Sequence, residues 1–326
     1  MKKVLIAILL LGLLPHASAD YIHWVDFRLS APVLRSALEL DMASQGGEQP
    51  LDWIDILALA AAWRGGTGVT VADTQRAAQA LRGDTPPERL PGMAGRFFSY
   101  YRAAYGAALG GLVGHFAIRR TDPQTGEAEW IPAYGLKAFS PIAAGYPWSH
   151  YPDFGAQRSY GYARPHLGND ILGALGTPIC AVEGGTVEAL GWNRYGGWRI
   201  GIRSDDRKRY YYYAHLRKDT PYAEGLAVGQ RVQAGEVIGF MGRTGYSAQE
   251  NVNNIETVHL HFGLQLIFDE SQKECDSEIW IDVYPIIELL ASHCSSVARD
   301  PQTGRWERLY PYCDLDAEPL RSAAAR

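Results

Sequence analysis

Cysteine is scarce in this chain and never paired at close spacing. Cys180, Cys275, Cys294 and Cys313 are the four among 326 residues, and no C-x-x-C occurs. That argues against a cysteine-based zinc knuckle or a thioredoxin-type redox site and leaves His, Asp and Glu as the residues able to hold a metal. Basic residues are not in excess either, with 31 Lys and Arg against 36 Asp and Glu and a formal net charge of -5. A nucleic-acid binder would show a clustered basic surface, so no nucleic-acid partner is expected. Long apolar runs are also missing. The run from Val4 to Leu14 covers 11 residues, well below the ~20 that cross a bilayer as a helix.

That run has another meaning. Lys2 and Lys3 precede it, and Pro15 with Ala17-Ser18-Ala19 follows it, which is the layout of a secretory signal peptide. Residues 1–19 are therefore expected to be removed, and the protein to act in the periplasm, the cell envelope or the extracellular space with no integral membrane span. Export permits disulfides, and Cys294 with Cys313 is the expected pair because both lie near the C-terminus. Cys180, within "TPICAV", reads as a small buried hydrophobe.

The remaining length suits two domains. From about Ser30 the apolar residues recur at three and four residue spacings, as in "APVLRSALELDMAS", which predicts helix. Further helices are expected over Leu51–Arg64, stopped by Gly65-Gly66, over Val71–Leu81 and over Met93–Leu109. "HFAIRRTDPQTGEAEWIPAY" then reads as two short strands around a turn. Beyond Pro165 short alternating runs are separated by glycines, a pattern of antiparallel β structure, sandwich or barrel-like. The expected organisation is a helical N-terminal domain over 20–135, a β domain over 136–291 and a C-terminal tail over 292–326. His23 and His115 have no acidic partner at ligand spacing and read as ordinary surface or core histidines.

Three short stretches carry chemistry. In "HLGND", His166, Gly168 and Asp170 share a face if the segment is extended, with glycine leaving room between the two polar groups. In "HLHFG", His259 and His261 share a face while Leu260 and Phe262 point to the core. Two imidazoles on one side of an apolar strand are costly to bury without a partner. In "YYYYAHL", alternation places His215 with Tyr211 and Tyr213. Imidazole and carboxylate are the ligands zinc takes when thiolate is absent, and three of them leave a position free for water. His166, Asp170 and one histidine of the pair would make such an open site. The other histidine and His215 would then serve as acid, base or oxyanion partners, while ligation by both His259 and His261 would close the site.

These three stretches, in this order, resemble the lysostaphin-type or LytM-like zinc metallopeptidases, which cut the peptide part of bacterial peptidoglycan. "HLGND" matches the family's H-x-G-x-D, "YAHL" its Tyr-Ala-His-Leu strand and "HLHFG" its H-x-H. "FGAQR", "GTPICAVEGGTVEALG", "VQAGEVIGFMGRTG" and "IDVYP" support the match, which spans about Phe154 to Leu290. The resemblance implies a mainly β catalytic domain of the duplicated hybrid motif fold, preceded by the small α-helical domain. It implies one Zn2+ per chain held by His166, Asp170 and His261, with His215 and His259 as catalytic histidines off the metal. It also implies hydrolysis of peptidoglycan crosslinks or stem peptides by zinc-activated water. The alternative is a non-catalytic envelope regulator that activates other cell-wall hydrolases, as relatives lacking ligands do. Between "GRTGYS" and "HLHFG" the chain inserts "AQENVNNIETV", and residues Ala248–Thr257 are expected to form a mobile wall of the groove. Trp192, Tyr195 and Trp198 are further candidates to line it.

Overall fold

The computed structural model describes residues 22–122, 124–273 and 277–317. The expected signal segment, 1–19, and Cys275 lie outside the described residues. Among the described residues four α-helices precede the strands and one short helix follows the main sheet. Helices α1 (Ala31–Ser44), α2 (Trp53–Arg64), α3 (Val71–Leu81) and α4 (Met93–Leu109) come first. Their ends follow from local chemistry. The Asp52 carboxylate accepts from Ile54 N to start α2, and Gly65, at φ 64°, ends it in the left-handed conformation. Thr70 and Asp73 form a reciprocal capping box on α3. Helix α2, "WIDILALAAAWR", is apolar on nearly every side and is buried accordingly among α1, α3 and α4.

Strands β1 (Val113–Thr121) and β2 (Ala128–Leu136) pair as a hairpin, Val113 opposite Leu136 and Thr121 opposite Ala128. The strands that follow are β3 (Trp148–His150), β4 (Gln157–Arg158), β5 (Arg164–Pro165), β6 (Asn169–Gly173) and β7 (Pro178–Cys180). Next come β8 (Gly185–Asn193), β9 (Gly197–Ser204), β10 (Arg209–Ala214), β11 (Arg231–Val232), β12 (Val237–Phe240), β13 (His259–Leu266) and β14 (Ile279–Trp280). The main sheet runs β11-β8-β9-β10-β13-β6-β3, with β14 on β13, and its pairings are antiparallel. The architecture is thus mainly β and antiparallel, with the helices gathered at the N-terminal side. Helix α5 (Tyr284–Leu290) returns to α1. Strands β15 (Val297–Arg299) and β16 (Trp306–Arg308) form a ribbon, and β17 (Tyr312–Asp314) pairs with β1.

A buried ionic knot joins the helices to the sheet. Arg209, on β10, meets Glu183 through Nε–Oε2 at 2.7 Å and Nη2–Oε1 at 3.0 Å, and its Nη1 donates to Ala107 O at the end of α4 at 2.8 Å. Tyr211 Oη donates to the same carboxylate at 2.6 Å. Arg209 therefore satisfies carbonyls that the helix end leaves open and favours the negative end of its dipole. Glu183→Ala leaves Arg209 with Asp206, at 3.0 Å, and the helix carbonyl, and should lower unfolding free energy by roughly 1–3 kcal/mol. Urea unfolding would check this, and a loss under about 1 kcal/mol would mean that water relieves the arginine.

The expected Cys294–Cys313 disulfide is not formed; both are free thiols, as is Cys180. Cys313 sits in β17, opposite Ala117 of β1. Cys294 Sγ instead turns back to Ala291 O, at 3.4 Å, just past α5. Cys180 is fully buried, as its sequence context suggested.

Candidate metal centre

The metal-capable residues meet because of strand register. On neighbouring β6 and β13, Asp170 stands opposite His261 and Leu172 opposite His259. His166 precedes β6 by three residues and folds back over it. Gly168, between His166 and Asp170, makes room for the His261 ring, since a Cβ there would lie 2.7 Å from its Cε1 and Nε2. The alternation of β13 puts Leu260 and Phe262 in the core.

Three donor atoms converge. His166 Nε2 lies 3.0 Å from Asp170 Oδ1 and 2.8 Å from His261 Nδ1, and His261 Nδ1 lies 3.2 Å from Asp170 Oδ1. His166 Nδ1 faces only acceptors on its other side, the Asp153 carbonyl and Oδ2, each at 3.1 Å. It therefore carries the proton of the neutral ring and leaves Nε2 as a lone pair. Two imidazole nitrogens and a carboxylate oxygen this close can share one cation, a proton or a metal ion. With no metal bound, that cation is a proton on His166. Burial works against a charged His166, yet Asp153 and Asp170 outweigh it and push that imidazole up to about 9. Burial also opposes a charged Asp170, but the surrounding histidines hold its carboxyl far below the usual range. The donor set fits a zinc ion.

His215 and His259 flank this triangle, with His215 ring centroids 4.7 Å from His259 and 5.8 Å from His261. Each spends Nδ1 on a backbone carbonyl: His215 on Thr244 O and His259 on Thr257 O, both at 2.9 Å. A carbonyl can only accept, so the proton sits on Nδ1 and Nε2 is left as a base in the neutral rings. His259 Nε2 is 3.7 Å from Asp170 Oδ1. Burial, reinforced by His259 and His261, holds His215 well below the ordinary imidazole range.

The expected grouping of His215 with Tyr211 and Tyr213 is corrected here. Those two tyrosines point into the core, Tyr211 to Glu183 and Tyr213 to Val182 N, while Tyr210 and Tyr212 face the cavity with His215. Strand β10 ends at Ala214, and His215 has φ 61°. Alternation holds only while the backbone is extended, and one left-handed residue turns the next side chain onto the opposite face.

Residues 164–274 match the description Peptidase family M23. That segment, about a third of the chain, is similar to an M23 peptidase domain. Over 177 residues it is 35% identical to the L-Ala-D-Glu endopeptidase of Bacillus subtilis, covering 51% of this chain and 52% of that protein. It is 38% identical over 98 residues to the glycyl-glycine endopeptidase ALE-1 of Staphylococcus capitis, covering 30% of this chain and 24% of that one. The chain thus spans about half the length of the first relative and a quarter of the second. A solved LytM-named chain from Ruminococcus gnavus is 24% identical, with 82% of this chain and 91% of that one covered and a TM-score of 0.48.

The M23 segment includes His166, Asp170, His215, His259 and His261, which the structure brings to one place. Residues just before the segment support them, and the motif reading assigned these no role. Arg158 Nη2 donates to Asp170 Oδ2 at 2.8 Å and to Asp153 Oδ2 at 3.1 Å, and Asn169 Nδ2 donates to Asp153 Oδ1 at 2.9 Å. Asp153 in this way orients the His166 ring, the outer partner that metal-binding histidines usually have. Arg158 belongs to the quoted "FGAQR", and Asp153 stands one residue before it.

The M23 site opens into a cavity of about 280 Å³. Tyr160 stacks on Tyr246 with ring centroids 4.6 Å apart, and the Arg164 guanidinium lies 4.7 Å from the Tyr195 ring. Of the expected aromatic lining, Tyr195 borders the cavity. Trp192 and Trp198 pack edge to face on one another instead. The expected wall at Ala248–Thr257 is corrected as well, because none of its residues borders this cavity. Asn251 Oδ1 accepts from Trp198 Nε1 and Asp219 N, both at 2.9 Å, Asn254 Nδ2 donates to Tyr246 O at 2.7 Å, and Ile255 is buried. The segment is pinned behind Tyr246.

Proposed function

We propose that this chain is an exported zinc metalloendopeptidase that hydrolyses peptide bonds in bacterial peptidoglycan. The observation that carries the reading is the meeting of His166 Nε2, Asp170 Oδ1 and His261 Nδ1 beside two histidines whose Nδ1 atoms are already committed. The names of the two relatives, one for an L-Ala-D-Glu bond and one for a glycyl-glycine bond, support peptide bonds of the cell wall as substrate. Export rests on the N-terminal pattern; among the described residues no helix is long and apolar enough to cross a membrane.

His166, Asp170 and His261 would hold one zinc ion, which when bound supplies Lewis acidity at the scissile carbonyl and lowers the pKa of water. Three protein donors leave a coordination position open. Asp153 and Arg158 keep two of the donors in place before substrate arrives. The free Nε2 of His259 or His215 accepts a proton from the attacking water. Once protonated, the same nitrogen donates to the developing oxyanion or to the leaving amine. The complete donor set gives the regulator alternative no support.

The test is metal removal. Dialysis against a chelator should abolish release of peptides from purified peptidoglycan, and about one equivalent of zinc per chain should restore it. Full activity in metal-free protein would end the proposal. Mass spectrometry of the released ends would identify the bond cut.

A further inference from the structure

Four cationic side chains border the cavity: Arg158, Arg164, Arg199 and Lys273. Three of them are committed. Arg158 holds Asp153 and Asp170. Arg164 donates to Tyr160 O at 2.6 Å and lies over the Tyr195 ring. Lys273 pairs with Glu188 at 2.5 Å. Arg199 differs. Its Nε is buried with no hydrogen-bond acceptor, and no ion pair among the described residues includes its guanidinium.

The contrast with its neighbours on the sheet sharpens this. Arg203, on the same strand, reaches Glu188 at 3.3 Å and Glu270 at 2.7 Å, and Arg209 on the next strand is enclosed by Glu183 and Asp206. The fold therefore supplies carboxylates to the arginines it uses for stability. A half-buried guanidinium lacking one carries a desolvation cost that no carboxylate of the fold offsets. An acceptor that arrives from outside would remove it.

Position says what brings that acceptor. In the β9–β10 register Tyr213 faces Ile200, so Arg199 stands one step further on, beside Ala214, which in turn faces His261. Arg199 and His261 are thus on one row of the sheet, two strand spacings apart, or roughly 9–10 Å between Cα atoms. A peptide whose scissile carbonyl lies at His261 would carry groups one or two residues away past Arg199. We propose that Arg199 is a specificity-determining residue that pairs with a carboxylate of the substrate peptide close to the bond cut. The inference rests on the peptidase reading above and narrows its substrate class to acidic peptides, at the expense of neutral glycyl bridges. Guanidinium and carboxylate match as a two-point hydrogen-bonded pair, and inside a partly enclosed cavity such a pair is stronger than at an open surface.

In a peptidoglycan stem peptide the carboxylate has two sources, a glutamyl α-carboxylate and the C-terminal carboxylate. Three synthetic stem peptides separate them: the free acid, the form with the glutamyl α-carboxylate as carboxamide, and the form with the C-terminus as carboxamide. Calorimetric binding to the zinc-loaded protein is the primary measurement, with cleavage read separately. One of the two amides should bind about 10-fold or more weaker than the acid, which is the fold-change expected of a charge-assisted pair. Arg199→Gln should collapse that acid-to-amide ratio toward one, and Arg199→Lys should keep part of it. Equal binding of all three peptides by the parent protein, or an unchanged ratio in Arg199→Gln, overturns the inference. Discrimination in binding without any cleavage would retain Arg199's role and remove the peptidase reading, so the two failures are distinct.

Discussion

His261→Ala should purify without zinc, whereas His259→Ala should retain most of its zinc and be nearly inactive. Period-two geometry alone places both rings on one face of β13 and cannot divide the work between them. Register and hydrogen bonding do. His261 stands opposite Asp170, and its Nδ1 lies in the donor triangle, 2.8 Å from His166 Nε2. His259 stands opposite Leu172, and its Nε2 is 3.7 Å from Asp170 Oδ1 while Nδ1 is held by Thr257 O. Removing an outer partner of a metal ligand already costs ~10–100-fold in affinity, so removing a donor should cost more. Elemental analysis of the two folded variants measures the difference. Equal loss of zinc in both would indicate a closed, structural site, and the peptidase proposal would have to be withdrawn.

How far the sequence reached depended on which rule applied at each residue. Helices α3 and α4 match their expected limits because Thr70, Asp73 and the glycines around Met93 are local signals of helix ends. The meeting of "HLGND", "YAHL" and "HLHFG" was legible because each motif carries its own spacing and the chain presents them in order. Tyr211 and Tyr213 were misplaced because alternation cannot register the left-handed backbone at His215. Asp153 was missed because it lies in an irregular loop, and its contact with His166 crosses 13 residues. Segment Ala248–Thr257 read as mobile from its polar composition. Asparagine, however, supplies both donor and acceptor, and Asn251 and Asn254 use theirs to fasten the segment to Trp198, Asp219 and Tyr246. Composition gives no means of telling a solvated amide from a bonded one. Arg199 was silent for a related reason, since being unpaired is a property of its surroundings.

The same left-handed residue leads to the second large effect. His215→Ala should keep its zinc and lose turnover by about 10²–10⁴-fold, the range of a general acid or base. Its ring reaches the cavity only because φ is 61°, and a non-glycine residue in that region costs about 1–3 kcal/mol unless the surroundings enforce it. They do so here by the bond from Nδ1 to Thr244 O and by the bond from the backbone N of His215 to Gly196 O at 2.7 Å. Alanine would keep the second bond and lose the first, so a drop in activity could reflect a relaxed backbone as well as a missing base. Asparagine tolerates the left-handed conformation better than most residues, and His215→Asn therefore separates the two causes. Comparable loss of kcat in both variants, with KM little changed, assigns the effect to the missing Nε2. Recovery of activity in the asparagine variant alone would make His215 a hinge for the loop, and loss of zinc from either would place it among the metal's donors.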